Sequence, residues 1–376
     1  MRLLAYLLPL GLCLAACQSP SESTTSASSA AFTDAELGQL LMVGFRGKTI
    51  DEVSPQIKAQ ISAGQIGHYI LFDYDYRNKV YDRNIASRAQ LRQLNADLQA
   101  LAPQPMLAAI DQEGGRVLRL KPQYGFDTIP SAAWLGRQQG VDSTYYYASL
   151  NARNLKGVGL NVNFAPVVDL AVNPDNPVIA KIERSFSADP MTTIAHAGAW
   201  ISAHDSLGIL SVLKHFPGHG SSTSDSHKGI TDVTTSWTKT ELLPFQQLLQ
   251  TDYQVGVMTA HVFNRSIDSL YPATLSPKYI TDWLREDFGY EGLVFSDDLH
   301  MKAVHEIFDF ETIIRQSLLA GVDILVFGNN LEYDEAIAKK TIAVIRKLLA
   351  EGAIEPERIR ASLKRVRTAQ EGIHAH

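Results

Sequence analysis

Cysteine is scarce. The chain of 376 residues holds two, Cys13 and Cys17, both near its start. Once an export segment is removed, no pair remains for a disulfide, so the folded part must rely on its apolar core. Charge of one sign is lacking too: 34 Lys+Arg against 40 Asp+Glu give a net −6. That balance excludes the basic face of a nucleic-acid binder. Charged residues at 20% and hydrophobic residues at 45% rule out disorder for most of the chain. No G-x-G-x-x-G follows the first apolar run, which argues against a doubly wound dinucleotide fold. No linker marks a second domain. The one continuous apolar stretch, Leu3 to Cys17, is too short for a comfortable membrane span.

That stretch reads instead as an address. Arg2 supplies the positive n-region, the leucines an apolar core, and Ala15 and Ala16 the small residues of a secretory signal. Leu14-Ala15-Ala16-Cys17 resembles the bacterial lipobox, which implies cleavage after residue 16 and a lipid on Cys17; a plain secretory signal with an incidental Cys is the alternative. Residues 17–31 are Ser/Thr-rich without an apolar repeat and read as a flexible tether. Gln18, rather than Asp, after the Cys favours the outer membrane. The expectation is an exported protein anchored to the cell envelope through Cys17.

Residues 32–376 alternate short apolar runs with amphipathic stretches. The runs are Leu40–Phe45, Ile66–Phe72, Met106–Ile110, Leu160–Val168, Ile209–Leu213, Val255–Ala260, Leu293–Phe295 and Ile324–Phe327. Helical periodicity appears over Ile85–Leu101, Thr192–Leu207 and Glu335–Leu349. Strand-then-helix repetition implies parallel strands with right-handed crossovers. About eight such units match one (β/α)8 barrel, an α/β fold whose chemistry sits at the C-terminal strand ends.

The polar residues that follow the runs therefore carry weight. They are Asp111 to Arg116, Asp169, Lys214 to Gly220 with Asp225 to His227, His261, and Ser296 to Asp298. Carboxylates, imidazoles and cations on one face suit acid/base chemistry on a neutral, hydroxyl-rich substrate, and no phosphate-cradling loop accompanies them.

These residues carry a resemblance. KHFPGHGSSTSDSH (Lys214 to His227), IDQEGGRVLR (Ile110 to Arg119), ERSFSADP (Glu183 to Pro190) and FSDDLHM (Phe295 to Met301) resemble glycoside hydrolase family 3. They are closest in pattern to its single-domain β-N-acetylglucosaminidase branch, and Pro272 to Leu299 extends the likeness. The resemblance implies a retaining mechanism through a covalent glycosyl-enzyme, with no organic cofactor and no metal. Asp297 matches the nucleophile; read from the residues alone, either Asp297 or Asp298 could instead cap the helix expected from Leu299 onward. His227 matches the unusual general acid/base, with Asp225 as its carboxylate partner. Lys228 would oppose Asp225 in setting the proton affinity of His227.

Asp111, Arg119, Arg184, Lys214 and His215 match the family's sugar-contacting residues. Arg and Lys suit that role because each offers several donors and no acceptor. Glu113 and Arg116 are expected to pair behind the Gly114-Gly115 turn, and His219 to shape its loop. Asp169 and His261 could each reach the pocket or support it. The expected partner is a β-linked N-acetylglucosamine oligosaccharide, drawn from peptidoglycan fragments or chitin.

The chain departs from the branch pattern after the acid/base His, where Lys228 to Val233 replaces a short stretch ending Leu-Pro. It departs again after the second strand, where Asp73-Tyr74-Asp75-Tyr76 precedes Arg77-Asn78. Both segments could line the leaving-group side. An exported address also sets it apart from relatives that recycle wall fragments in the cytoplasm. Other readings of the same residues are a β-glucosidase, a phosphorylase using His227 as a base that does not repel phosphate, a barrel metallohydrolase ligated by His215, His219, His227 and Asp225, and a non-catalytic sugar-binding lipoprotein.

Overall fold

The computed structural model describes residues 32–225 and 229–374. The signal and tether, with Cys17, and the segment Ser226–Lys228, with His227, lie outside the described residues.

Eight parallel strands form the sheet: β1 Leu41–Gly44, β2 His68–Leu71, β3 Ala108–Ile110, β4 Val162–Asn163, β5 Leu210–Phe216, β6 Val255–Thr259, β7 Val294–Phe295 and β8 Leu325–Phe327. Each pairs with its sequence neighbour, and β8 returns to β1 in the register Leu41↔Leu325, Met42↔Val326, Val43↔Phe327. A parallel bridge between Phe295 and Ile324 joins β7 to the residue before β8 and closes the ring. The (β/α)8 barrel expected from the alternation is therefore the fold.

Strand periodicity explains the closure. Along β1, β2 and β8 the middle residues Met42, Ile70 and Val326 join one cluster inside the barrel. Their neighbours Leu41, Val43, Tyr69, Leu71, Leu325 and Phe327 join the larger cluster beneath the helices. Both faces of every strand are buried, so the runs read as continuous apolar sequence rather than as alternation. Each fully buried aliphatic side chain contributes on the order of 1.5–3 kcal/mol.

The helices after the strands are α1 Pro55–Ser62, α2 Arg88–Leu101, α3 Asp142–Lys156, α4 Pro190–Asp205, α5 Leu243–Leu248, α6 Lys278–Asp287, α7 Phe310–Ala320 and α8 Ile337–Ala350; α9 Pro356–His374 ends the chain. The periodic stretch at Ile85 becomes helical only at Arg88. Extended Ser87 accepts the N–H of Gln90, whose side chain accepts the N–H of Ser87 in return, so the capping box fixes the start. Similarly, α4 starts at Pro190 because Asp189 caps Thr192 and Pro needs no N–H donor partner at the first turn. From α9, Val366 and Ala369 reach the cluster inside the barrel, which places this helix against the lower end of the barrel, away from the site.

Candidate active site

The C-terminal strand ends converge on a pocket of about 600 Å³. Ile70, Phe164, Met258 and Val326 belong both to its lining and to the interior barrel cluster, so they make an apolar floor. Above them stand Asp111, Arg119, Arg184, Lys214, His215, Asp225 and Asp297. Every described residue given a catalytic or sugar-binding role by the resemblance therefore lines one cavity.

Three of these residues, Asp111, Arg184 and Lys214, join Glu113 in one ion network. Lys214, on β5 and almost wholly buried, places Nζ 2.7 Å from Asp111 Oδ1 and 2.7 Å from Glu113 Oε1. Arg184 meets Glu113 with Nε and Nη2, both at 2.7 Å, and donates through Nη1 to the Val178 carbonyl. Burial alone would push the Glu113 carboxyl up. The charges of Arg184 and Lys214 overcome that and hold it well below the usual carboxylate range. Burial likewise works against charge on Arg184, and Glu113 outweighs it, raising the guanidinium above its ordinary value.

The expected Glu113–Arg116 pair does not form. Arg116 is exposed at the pocket rim, and Glu113 turns inward to Arg184 and Lys214. Asp111 and Glu113 are two residues apart in an extended segment and so point to the same face, a signal present in the sequence. Gln112 points the other way; its Oε1 accepts the N–H groups of Arg119 and Leu120, which pins the returning strand that presents Arg119.

Asp169 sits behind the pocket, fully buried. One oxygen accepts the backbone N–H of His215 (3.1 Å) and of His219 (2.7 Å); the other lies 2.6 Å from His215 Nδ1. That contact keeps the proton on Nδ1 and leaves Nε2 to accept from Arg184 Nη2 at 3.2 Å. Burial opposes ionisation of Asp169, and the facing His215 ring and these bonds still hold its carboxyl below the ordinary value. His219 shapes the loop as expected: burial, with His215 nearby, pushes its imidazole down to about 4, and Ser222 Oγ lies 2.8 Å from its Nδ1. Asn176 donates to the carbonyls of His219 and Gly220. A Cβ on Gly220 would stand 1.7 Å from the Leu170 carbonyl oxygen, so only glycine permits this approach.

The adjacent aspartates after β7 have different surroundings. Asp298 Oδ1 accepts the N–H groups of His300 (3.0 Å) and Gly328 (2.9 Å), tying the turn to β8. Gly328 must be glycine there, since a Cβ would lie 2.5 Å from Asp298 Oδ2. Asp297 Oδ1 accepts the N–H of Asp298 at 2.8 Å. The helix expected from Leu299 starts only at Lys302, so neither aspartate caps it directly. His261 supports the same turn from below, with Nε2 3.0 Å from the Asp298 carbonyl and Nδ1 2.9 Å from Thr274 Oγ1.

One buried carboxyl had no signal in the sequence. Glu241, just before α5, accepts the Ser221 N–H on Oε2 at 3.2 Å, while its buried Oε1 has no hydrogen-bond partner. Burial pushes its pKa up to about 7.

Among the described residues no three His, Cys, Asp or Glu side chains gather as a metal-binding group. His215 and His219, offered above as ligands, face each other edge-on with ring centroids 5.9 Å apart and both contact Asp169.

Residues 32–369 match the family described as Glycosyl hydrolase family 3 N terminal domain. The chain is 31% identical to Beta-hexosaminidase A of Pseudoalteromonas piscicida across 92% of its own length and 62% of that relative's. It is 35% identical to a Beta-hexosaminidase of Nitrosomonas eutropha, covering 77% of this chain and 80% of the relative. Among solved structures, a glycoside hydrolase family 3 beta-N-acetylglucosaminidase from Paenibacillus sp. superposes with a TM-score of 0.83 at 30% identity, over 92% of this chain and 63% of that one. LpqI of Mycobacterium tuberculosis superposes with a TM-score of 0.76 at 29% identity, over 90% and 93%. The chain thus spans less than two thirds of some relatives and nearly all of others. With the barrel, the strand-end residues and these likenesses in agreement, the chain belongs to glycosyl hydrolase family 3 and is a glycoside hydrolase built on that family's N-terminal barrel domain.

Proposed function

We propose that the protein is a retaining exo-β-N-acetylglucosaminidase that releases terminal β-linked N-acetylglucosamine from oligosaccharides. The observation that carries this reading is that Asp297 and Asp225 line one pocket with Asp111, Lys214 and Arg184. The relatives, β-hexosaminidases and a β-N-acetylglucosaminidase by name, support the sugar.

In the proposed reaction, hydroxyls of the terminal sugar bond to Asp111, Lys214, His215 and the two guanidinium groups, Arg119 and Arg184. The Asp297 carboxylate attacks the anomeric carbon and forms a C–O bond while the glycosidic C–O bond breaks. Protonated His227 gives its proton to the departing oxygen, and Asp225 stabilises the imidazolium beforehand. Water then attacks the glycosyl-enzyme, His227 takes the water proton, and Asp297 is released as carboxylate. The proton count returns to its starting value.

The test is initial rates of the purified full-length chain on an aryl β-N-acetylglucosaminide and the matching β-glucoside, in phosphate and in non-phosphate buffer. Preference for the N-acetyl substrate, buffer-independent products and loss of about 10³-fold or more in Asp297→Asn are expected, given the usual size of covalent catalysis. A preference for the glucoside, a sugar 1-phosphate product or an active Asp297→Asn would overturn it.

We further propose that the enzyme is held at the cell envelope, outer membrane favoured, by a lipid on Cys17. The motif Leu14 to Cys17 supports this. Wild-type protein should partition with membranes and Cys17→Ser should not.

A further inference from the structure

The segment between β2 and α2 is held far more firmly than a surface loop of its composition requires. Asp75, nearly fully buried, accepts from Arg46 Nε at 2.7 Å, from Arg83 Nη1 at 3.3 Å and from the Asn78 N–H at 2.9 Å. An antiparallel bridge joins Asp75 to Val80. Beside it, Asn330 from the loop after β8 accepts the Tyr76 N–H (3.1 Å) and donates to the Tyr74 carbonyl (3.0 Å). The backbone of Tyr76 is therefore fixed from two sides.

Its ring is not covered. Tyr76 lines the pocket yet is 54% exposed, and Tyr81 beyond it is 61% exposed. Tyr74 links the two, edge-on to Tyr76 at 5.1 Å and tilted against Tyr81 at 4.8 Å. Lys121, paired with Asp73, lies 4.0 Å from the Tyr81 ring centre. Large apolar rings with a pinned backbone bind at low entropic cost, and the electron-rich ring face attracts C–H groups.

The pocket has a closed apolar floor, so a terminal sugar seated there can extend only through the mouth. Tyr76 stands at that mouth on the β2 and β8 side, across from the ion network supplied by β3 to β5. We infer that Tyr76, extended by Tyr81, is a stacking subsite for the leaving-group sugar: a β-linked hexosamine ring whose equatorial substituents leave a flat face of axial C–H bonds. This inference rests on the proposed glycosidase reading. It adds which side chains receive the leaving-group sugar.

The experiment compares kcat/KM for chitotriose and for methyl β-N-acetylglucosaminide in wild type, Tyr76→Ala and Tyr76→Phe. A third arm uses N-acetylglucosaminyl-β-1,4-N-acetylmuramic acid. The ratio of oligosaccharide to methyl glycoside should fall about tenfold in Tyr76→Ala and less than twofold in Tyr76→Phe, which keeps the ring. A larger fall with the muramic acid disaccharide assigns the subsite to wall glycan; a larger fall with chitotriose assigns it to chitin-type chains. An unchanged ratio in Tyr76→Ala overturns the inference. The same holds if Tyr76→Phe loses as much as Tyr76→Ala. Failure of the underlying reading is distinct, because wild type would then turn over none of the three substrates.

Discussion

The Lys214 ammonium and the Asp111 carboxylate stand 2.7 Å apart in the strand-end pocket, with the lysine almost wholly buried and the aspartate partly open. The pairing is asymmetric by construction. Glu113, which also holds Lys214, has Arg184 as a second cation, whereas Asp111 has Lys214 as the ion pair described for it. Removing the lysine thus leaves Glu113 compensated and Asp111 uncompensated. Lys214→Met is expected to lower stability by about 3 kcal/mol, the usual cost of breaking one side of a buried pair. It should also lower kcat/KM by at least about 100-fold. The double variant Lys214→Met/Asp111→Asn should recover part of the stability and none of the activity, measured by urea unfolding alongside initial rates.

Asp169 illustrates a different dependence. It does not line the pocket, and its two oxygens collect two backbone N–H groups and the His215 ring. Asp169→Asn keeps the shape and replaces an acceptor oxygen with a donor, so one of these three contacts must be lost. A fall of about 2–3 kcal/mol in unfolding free energy and a reduced kcat are expected. Because the folded-state pKa lies below the unfolded value, the wild-type contribution is present above about pH 4 and is lost as pH falls through the folded value. The variant should show a flatter acid limb in urea unfolding from pH 6 down to pH 3.

These two residues also mark how far the sequence could be read. The eight apolar runs became the eight strands because a barrel strand is buried on both faces, which leaves a continuous apolar signature. The strand-end position of Asp111, Lys214, His215 and Asp297 followed from the fold, so their convergence was legible. Partner choice was not. Glu113 was matched with Arg116 by proximity in sequence, while the pairing with Arg184 depends on where the long connection after β4 returns. Asp169 and His261 could be placed at strand ends but not assigned to lining or support, because that turns on side-chain direction at one residue. Glu241 carried no pattern at all, since its burial arises from the loop Gly218 to Ser222 folding over it.

Glu241 supplies a pH dependence of the opposite sign to Asp169. Its folded-state pKa, raised by burial to about 7, exceeds the unfolded value of about 4.3. Between those values the folded state binds more protons than the unfolded state, so stability falls as pH rises from about 4.3 to about 7. The full span corresponds to about 4 kcal/mol at about 1.36 kcal/mol per unit. Glu241→Gln removes the titration while retaining an acceptor for the Ser221 N–H. Urea unfolding at intervals from pH 5 to pH 8 should show the wild type losing stability and the variant nearly level. A wild-type profile that rises with pH over this interval contradicts the assignment.

Asn330 bonds to the Tyr76 segment through the backbone groups of Tyr74 and Tyr76. Its side-chain oxygen accepts from Tyr76 and its amide donates to Tyr74, so it acts as a bridge between the loops after β2 and β8. Asn330→Ala leaves two part-buried backbone groups without this partner and should cost about 1 kcal/mol. The more telling effect is kinetic. The aromatic rings remain present, but their position is no longer fixed, so ordering must occur on binding. For an oligosaccharide, KM should therefore rise several-fold while kcat falls by less than twofold, and the excess should shrink for the methyl glycoside. A uniform loss of kcat on both substrates would instead place the damage at Asp297 or the ion network and show that Asn330 supports the reacting centre rather than the mouth.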